Sequence, residues 1–197
     1  MTINDLAIIR TGIVTARKKP EAGQAVYAYR LLNLKCIADE GYVLTEAIEP
    51  YEAAEELKSD YFTQMGDVLV RLSSPYTAVL INREDLCGLL VPSHFAIVRV
   101  RSNMAVPEYL YWVLQRDKNR MKILQNSSGS TAFGTISSGL IGSLSVTMLP
   151  IQQQKTIGAL LLLSEREQEL LRRLAEEKKK YSTYRLNDIY TKMKRGF

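Results

Sequence analysis

The sequence predicts a mixed α/β (α+β) head over residues 1–150, followed by a long C-terminal coiled-coil-like helix over residues 151–197. Three observations predict it. Up to Pro150 the chain is dense in short apolar runs separated by Gly, Ser and Pro, the texture of packed strands and turns. From Ile151 to Arg195 there is no proline, and the only glycine is Gly158. Within that stretch the apolar residues recur mostly three, four or seven apart, a partial coiled-coil seam without a strict heptad.

The elements follow in order. Residues 6–15 are strand-like, with Gly12 as a bulge. Residues 17–23 form a basic loop. Residues 25–36 alternate aromatic and aliphatic side chains as a strand, and 41–45 are a further short strand. Glu46, Glu49, Glu52 and Glu55 recur every three residues, which predicts a short helix or irregular turn with a solvated acidic face. Residues 64–72 are a turn feeding a buried strand, and 76–81 and 95–100 are two more strands. Residues 107–124 make an amphipathic helix with Pro107 in its first turn, where a missing N–H costs nothing. Residues 126–142 are a Ser/Thr/Gly-rich crossover, and 144–150 alternate as a strand that stops at the proline. The closing helix of roughly 40 residues would be about 60 Å long. A small head cannot cover such a stripe, so a second long helix must, and another chain is the expected source.

Composition sets limits on function. At 197 residues, 46% hydrophobic and 24% charged, the chain can bury a core without staples. Two cysteines without short spacing and a single histidine argue against a disulfide framework or a Cys/His zinc site. Both cysteines read as small core residues, and no cofactor is expected. The first five residues lack a signal-peptide pattern, and the longest apolar run, residues 157–163, is too short to span a bilayer. A cytoplasmic protein is expected. Residues 178–195 hold seven Lys/Arg against one Asp, a net +6, so the +5 of the whole chain leaves the remainder at −1. Basicity belongs to the arm, so a polyanion could dock on the arm's tip or on local patches of the head, but not everywhere.

Several motifs now line up. Gly66-Asp67-Val68-Leu69 precedes Tyr109-Leu110 with Leu114, then Ser128-Gly129-Ser130-Thr131, and then Pro150, Gln154 and Ile157 at the start of the long helix. This order resembles one half of the DNA-specificity (S) subunit of type I restriction-modification systems. That family shows "GD-[IV]-L", "Y-L-x-x-x-L", a Gly/Ser/Thr run and "[IL]-P-x-x-x-Q-x-x-I". Gln153 stands where the family usually has glutamate. The resemblance runs along nearly the whole chain and is least detailed before Gly66. It implies a target recognition domain that reads one half of a split site in double-stranded DNA. It also implies a helical spacer that docks methyltransferase (M) subunits, with restriction (R) subunits joining in the full system. A typical S subunit has two such units. With one here, the alternatives are a half-length subunit that self-pairs as a homodimer and one half of a longer protein.

The candidate DNA contacts are Arg17, Lys18, Lys19, Arg71, Ser73, Ser74, Tyr76, His94, Ser128, Ser130 and Thr131. Each also has a plainer reading. Arg17–Lys19 is either a phosphate-binding loop or a solvated turn. Arg71 either reaches a guanine in the major groove or pairs with Asp67 or Glu84. Ser73-Ser74-Pro75-Tyr76 is similar to the "[DNS]-P-P-[YF]" motif of amino-methyltransferases, where an aromatic ring stacks on a flipped base. It lacks the first proline, so a strand-to-strand turn or a DNA-contacting loop is expected rather than catalysis. His94 is a loop histidine or a contact to phosphate or base. The Ser128–Thr131 run either faces phosphates or is a crossover. Ile157, Leu160, Leu163, Leu170, Leu171, Leu174, Tyr181 and Tyr184 are expected to pack against a partner helix. The expected function is non-catalytic DNA recognition. The rivals are a coiled-coil adaptor without DNA binding and, further off, a small DNA methyltransferase.

Overall fold

A computed structural model describes residues 1–21, 27–115, 118, 121–123, 125 and 134–195. The chain divides into two compact units, Met1–Gly158 and Ala159–Phe197. The strands of the first unit are β1 (Ala7–Thr11), β2 (Tyr27–Leu31), β3 (Glu49–Ala53), β4 (Val68–Arg71), β5 (Ala78–Leu80) and β6 (Phe95–Val100). Among the described residues its helices include α1 (Pro107–Gln115) and α2 (Ser138–Ser143), and α3 (Ile151–Arg195) begins in it.

The main sheet has the order β1-β6-β4-β5 with antiparallel neighbours. β4 and most of β6 are buried on both faces, which is why they read as continuous apolar runs. On one face, Leu69, Val79, Phe95 and Ile97 join Leu32, Cys36, Leu86, Leu89 and Val91 in a core cluster. The alternate residues of β4 and β5 face α1, whose Tyr109, Leu110, Val113 and Leu114 are buried. A second, two-stranded sheet pairs β2 with β3. Around it, Ile13, Tyr51, Ala53, Leu57 and Leu90 form a smaller cluster.

The Gly-Asp-Val-Leu motif has a local cause. Gly66 has φ +84°, which glycine alone adopts without strain. Asp67, fully buried, accepts from the backbone N–H of Gln64 at 2.8 Å. It also takes the Arg99 guanidinium in a two-pronged pair, Nε and Nη2 each 2.7 Å from a carboxylate oxygen. The turn, the strand that follows it and β6 are thereby held together.

Some expected elements differ. The acidic stretch is no helix: after a 3-10 turn at Thr45–Ala47 it forms β3, where Tyr51 and Ala53 are buried and Glu49 and Glu52 are exposed. Pairing with β2 overrides the three-residue spacing of the glutamates. Residues 41–45 form no strand and contribute only the bridge Ile37–Val43. Residues 144–150 keep their alternation, with Leu144 and Val146 buried, but their partner is only the first residues of the chain. The crossover contains α2, capped by Ser137, whose hydroxyl accepts from the N–H of Leu140 at 3.1 Å. Cys36 is a core residue as expected, whereas Cys87 is only half-buried.

Candidate DNA interface

Antiparallel pairing decides which loops meet. β4 ends at Arg71 opposite Phe95, where β6 begins; β5 begins at Ala78 opposite Val70; β1 ends at Thr11 opposite Ala96. The loops at these four positions therefore share one end of the main sheet. The N–H of Leu72 donates to the His94 carbonyl at 2.9 Å, and the N–H of Ile136 donates to the Leu72 carbonyl at 2.8 Å. Gly12 and Ile13 donate to Phe95 and Val91 at 2.9 Å each. Gly12 lies so close to the 91–92 backbone that an added Cβ would sit 2.3 Å from two carbonyl oxygens, which explains glycine there.

Four of the candidate residues converge at this end. Arg71 is half-buried, and its Nε donates to the Ser73 hydroxyl at 3.3 Å. Among the described residues it pairs with neither Asp67 nor Glu84, because Asp67 is taken by Arg99. Ser74 and His94 are exposed, and Ser73 is partly so. Tyr76 is different: it is 6% exposed with φ 56°, and its hydroxyl donates to the Gly134 carbonyl at 2.7 Å. Its ring is not presented for stacking on a base. It acts as a strut between its own loop and the segment after the Ser/Thr run. Ser128, Ser130 and Thr131 lie outside the described residues.

The basic loop belongs to the second sheet. Thr15–Lys18 is a 3-10 turn fixed by the Tyr51 hydroxyl on the Thr15 carbonyl at 2.7 Å, and by the Ala54 N–H on the Lys18 carbonyl at 2.9 Å. Lys18 pairs with Glu55, which raises the Lys18 pKa and lowers that of Glu55, chiefly through their hydrogen bond. Arg17 and Lys19 are exposed.

The first two turns of α3 root at the opposite end of the main sheet. Gln154 is fully buried. Its Oε1 accepts from the Val106 N–H at 3.1 Å, and its Nε2 donates to the Met104 and Leu149 carbonyls at 2.8 Å each. An added Cβ at Gly158 would lie 2.4 Å from the Glu108 Cβ, so only glycine permits that approach. The family resemblance marks Gln154 as a motif position but not as a three-bond anchor. A polar residue one turn after a helix-opening proline, followed by glycine four residues on, was the available signal.

In the second unit, Leu160, Leu163, Leu170, Leu171, Leu174, Tyr181 and Tyr184 are all exposed, Leu163 to 66%. Ile189, which belongs to the same apolar spacing, is exposed as well, and Leu186, Tyr190 and Met193, which do not, extend the exposed apolar set. Ile157 is half-buried in the first unit. Surface ion pairs within three or four residues line the remaining faces, among them Arg166–Glu169 and Lys192–Asp188. Among the described residues no cluster suits a metal ion, and no helix is long and apolar enough to cross a membrane.

Comparison with solved structures places this architecture. The chain shares its fold with a chain from a structure of the complex assembly and conformational transition of the type I R-M system. The match has TM-score 0.64 and 17% identity, and covers 91% of this chain and 45% of that one. The HsdS subunit of Thermoanaerobacter tengcongensis gives TM-score 0.63 at 18% identity, over 89% of this chain and 44% of that one. The type I restriction-modification S subunit of M. genitalium gives 0.54 at 11%, over 86% and 39%. Mixed sheets followed by one long helix are thus the fold of part of a type I specificity subunit, and the chain spans less than half the length of these solved chains. No protein-family model and no curated protein matches the sequence.

Proposed function

We propose that this chain is a non-catalytic, sequence-specific DNA recognition subunit of a type I restriction-modification system. The head reads one half of a bipartite site, and the helix sets the spacing and docks methyltransferase subunits. The observation that carries this reading is the fold shared along 91% of the chain with a protein of such a system. The gathering of Arg71, Ser73, Ser74 and His94 at one sheet end supports it, because base readout needs exposed polar side chains on a rigid support.

The exposed stripe of α3 is covered by the same helix of a second copy. Charge favours antiparallel pairing. Residues 159–177 hold five acids against three bases, net −2, while 178–195 are net +6. Side-by-side parallel helices would align the two +6 ends, whereas antiparallel helices set each against a −2 segment. A two-fold dimer presents identical heads, so its target is an interrupted palindrome. A gel-shift and methylation assay with the cognate methyltransferase subunit tests this. Protection of a two-fold symmetric site is expected. DNA binding that is absent, or that does not weaken steeply with salt, would favour the adaptor reading instead.

A further inference from the structure

We propose that Arg10, Arg99 and Arg101 form a cleft for phosphate groups of the DNA backbone, on the β1 side of the head. It rests on the DNA-recognition reading and adds a binding surface along β1 and β6, beyond the loops themselves. The register Ile8–Arg99 and Arg10–Ile97 puts Arg10 and Arg99 on one face of the sheet. Arg101 follows two residues on, where its N–H donates to the Leu6 carbonyl at 3.0 Å. Together with Ile8, Ile97 and Asp60 the three arginines line a shallow cleft.

The three differ in how far they are committed. Arg99 is fixed by Asp67, and its Nη2 also donates to the Phe62 carbonyl at 3.1 Å. Those bonds use Nε and Nη2 and leave the Nη1 donors for a ligand. Its hydrogen bond to Asp67 raises its pKa, so the charge is permanent. Arg101 is exposed, and its side chain has no ion pair or hydrogen bond among the described residues. Arg10 pairs with Asp60, but both are over two-fifths exposed. Such a pair contributes little, and a phosphodiester can displace the carboxylate.

The cleft also connects to the basic loop. The 54–60 segment bonds Lys18 at one end, through Ala54 and Glu55, and Arg10 at the other, through Asp60. Arg17 and Lys19, the exposed sequence neighbours of Lys18, stand at the other end of that segment from Arg10. Phosphate contacts of this kind position a duplex without reading its sequence.

The test is fluorescence anisotropy of the full chain with a mixed-sequence duplex across a salt series, using R10Q, R101Q and the double variant. R83Q, a surface arginine paired with Asp85, controls for loss of charge alone. Arg10 and Arg101 are exposed, so unchanged circular dichroism and melting are expected. The slope of log affinity against log salt should fall by about 0.9 for each arginine replaced, and by about 1.8 in the double variant. R83Q should keep the wild-type slope. A double variant with the wild-type slope, or an equal fall in R83Q, overturns the cleft. If the wild-type chain itself shows no salt-dependent binding, the DNA reading falls and the cleft with it.

Discussion

Replacing Gln154 by alanine tests how the long helix is rooted. The carboxamide is fully buried and makes three hydrogen bonds, one accepted and two donated. Q154A strands the Val106 N–H and the Met104 and Leu149 carbonyls. Each unsatisfied buried group costs about 1–3 kcal/mol, so three give an upper bound of about 9 kcal/mol. The vacated space is polar and admits water, which restores part of this. The expected loss is about 2–4 kcal/mol. Trp112, the only tryptophan, stacks on Tyr109 at 5.6 Å, and Tyr109 donates to the Thr147 carbonyl near the same root. Its fluorescence during urea unfolding therefore reports the head, while circular dichroism also reports α3. Q154E sharpens the experiment. It keeps an acceptor for Val106 but turns a carboxylate toward two carbonyls, which raises its folded pKa above the unfolded value of about 4.3. Between those two values the folded state holds more protons. The deficit of Q154E should therefore be smallest below about pH 4 and grow as pH rises through the window. A Q154A loss under about 1 kcal/mol by Trp112 fluorescence would refute the anchoring role.

Three further outcomes are expected. D67A removes the partner of Arg99 and the cap of the Gly66 turn, and should cost about 2–4 kcal/mol in urea unfolding, with D67N recovering only part. In a two-fold dimer each substitution acts twice, so L170E/L174E should convert a dimer to monomers in sedimentation at micromolar concentration while the head's Trp112 signal stays native. A thiol reagent should label half-buried Cys87 quickly and Cys36 only on unfolding, because burial removes access to Cys36 and raises its pKa.

What the sequence made legible was whatever local pattern decides. α3, α1 and β6 follow from helical spacing, the Pro107 start and the apolar run Phe95–Val98. β3 did not, because its glutamates share a helical spacing and only its partner strand turns Tyr51 and Ala53 inward. The strand expected at residues 144–150 had the right alternation but too short a partner. The candidate site was legible residue by residue and not as a place. Arg71, His94 and Ile136 are joined through Leu72, across separations no local pattern encodes. Ser73–Tyr76 reads as a strand-to-strand turn or a DNA-contacting loop, and only the path of that loop shows Tyr76 buried on Gly134. Conversely, Arg99 carried no sequence signal as the partner of Asp67, although the strand register makes it one.

At the centre of the proposed function, two identical heads, held by their long helices, read a split DNA site. Selection of bound duplexes from a random pool by the full chain with its methyltransferase subunit tests it most directly. One enriched motif is predicted, an interrupted palindrome with a fixed gap. Two unrelated half-sites selected by this chain alone, or no enrichment beyond salt-sensitive backbone binding, would contradict it.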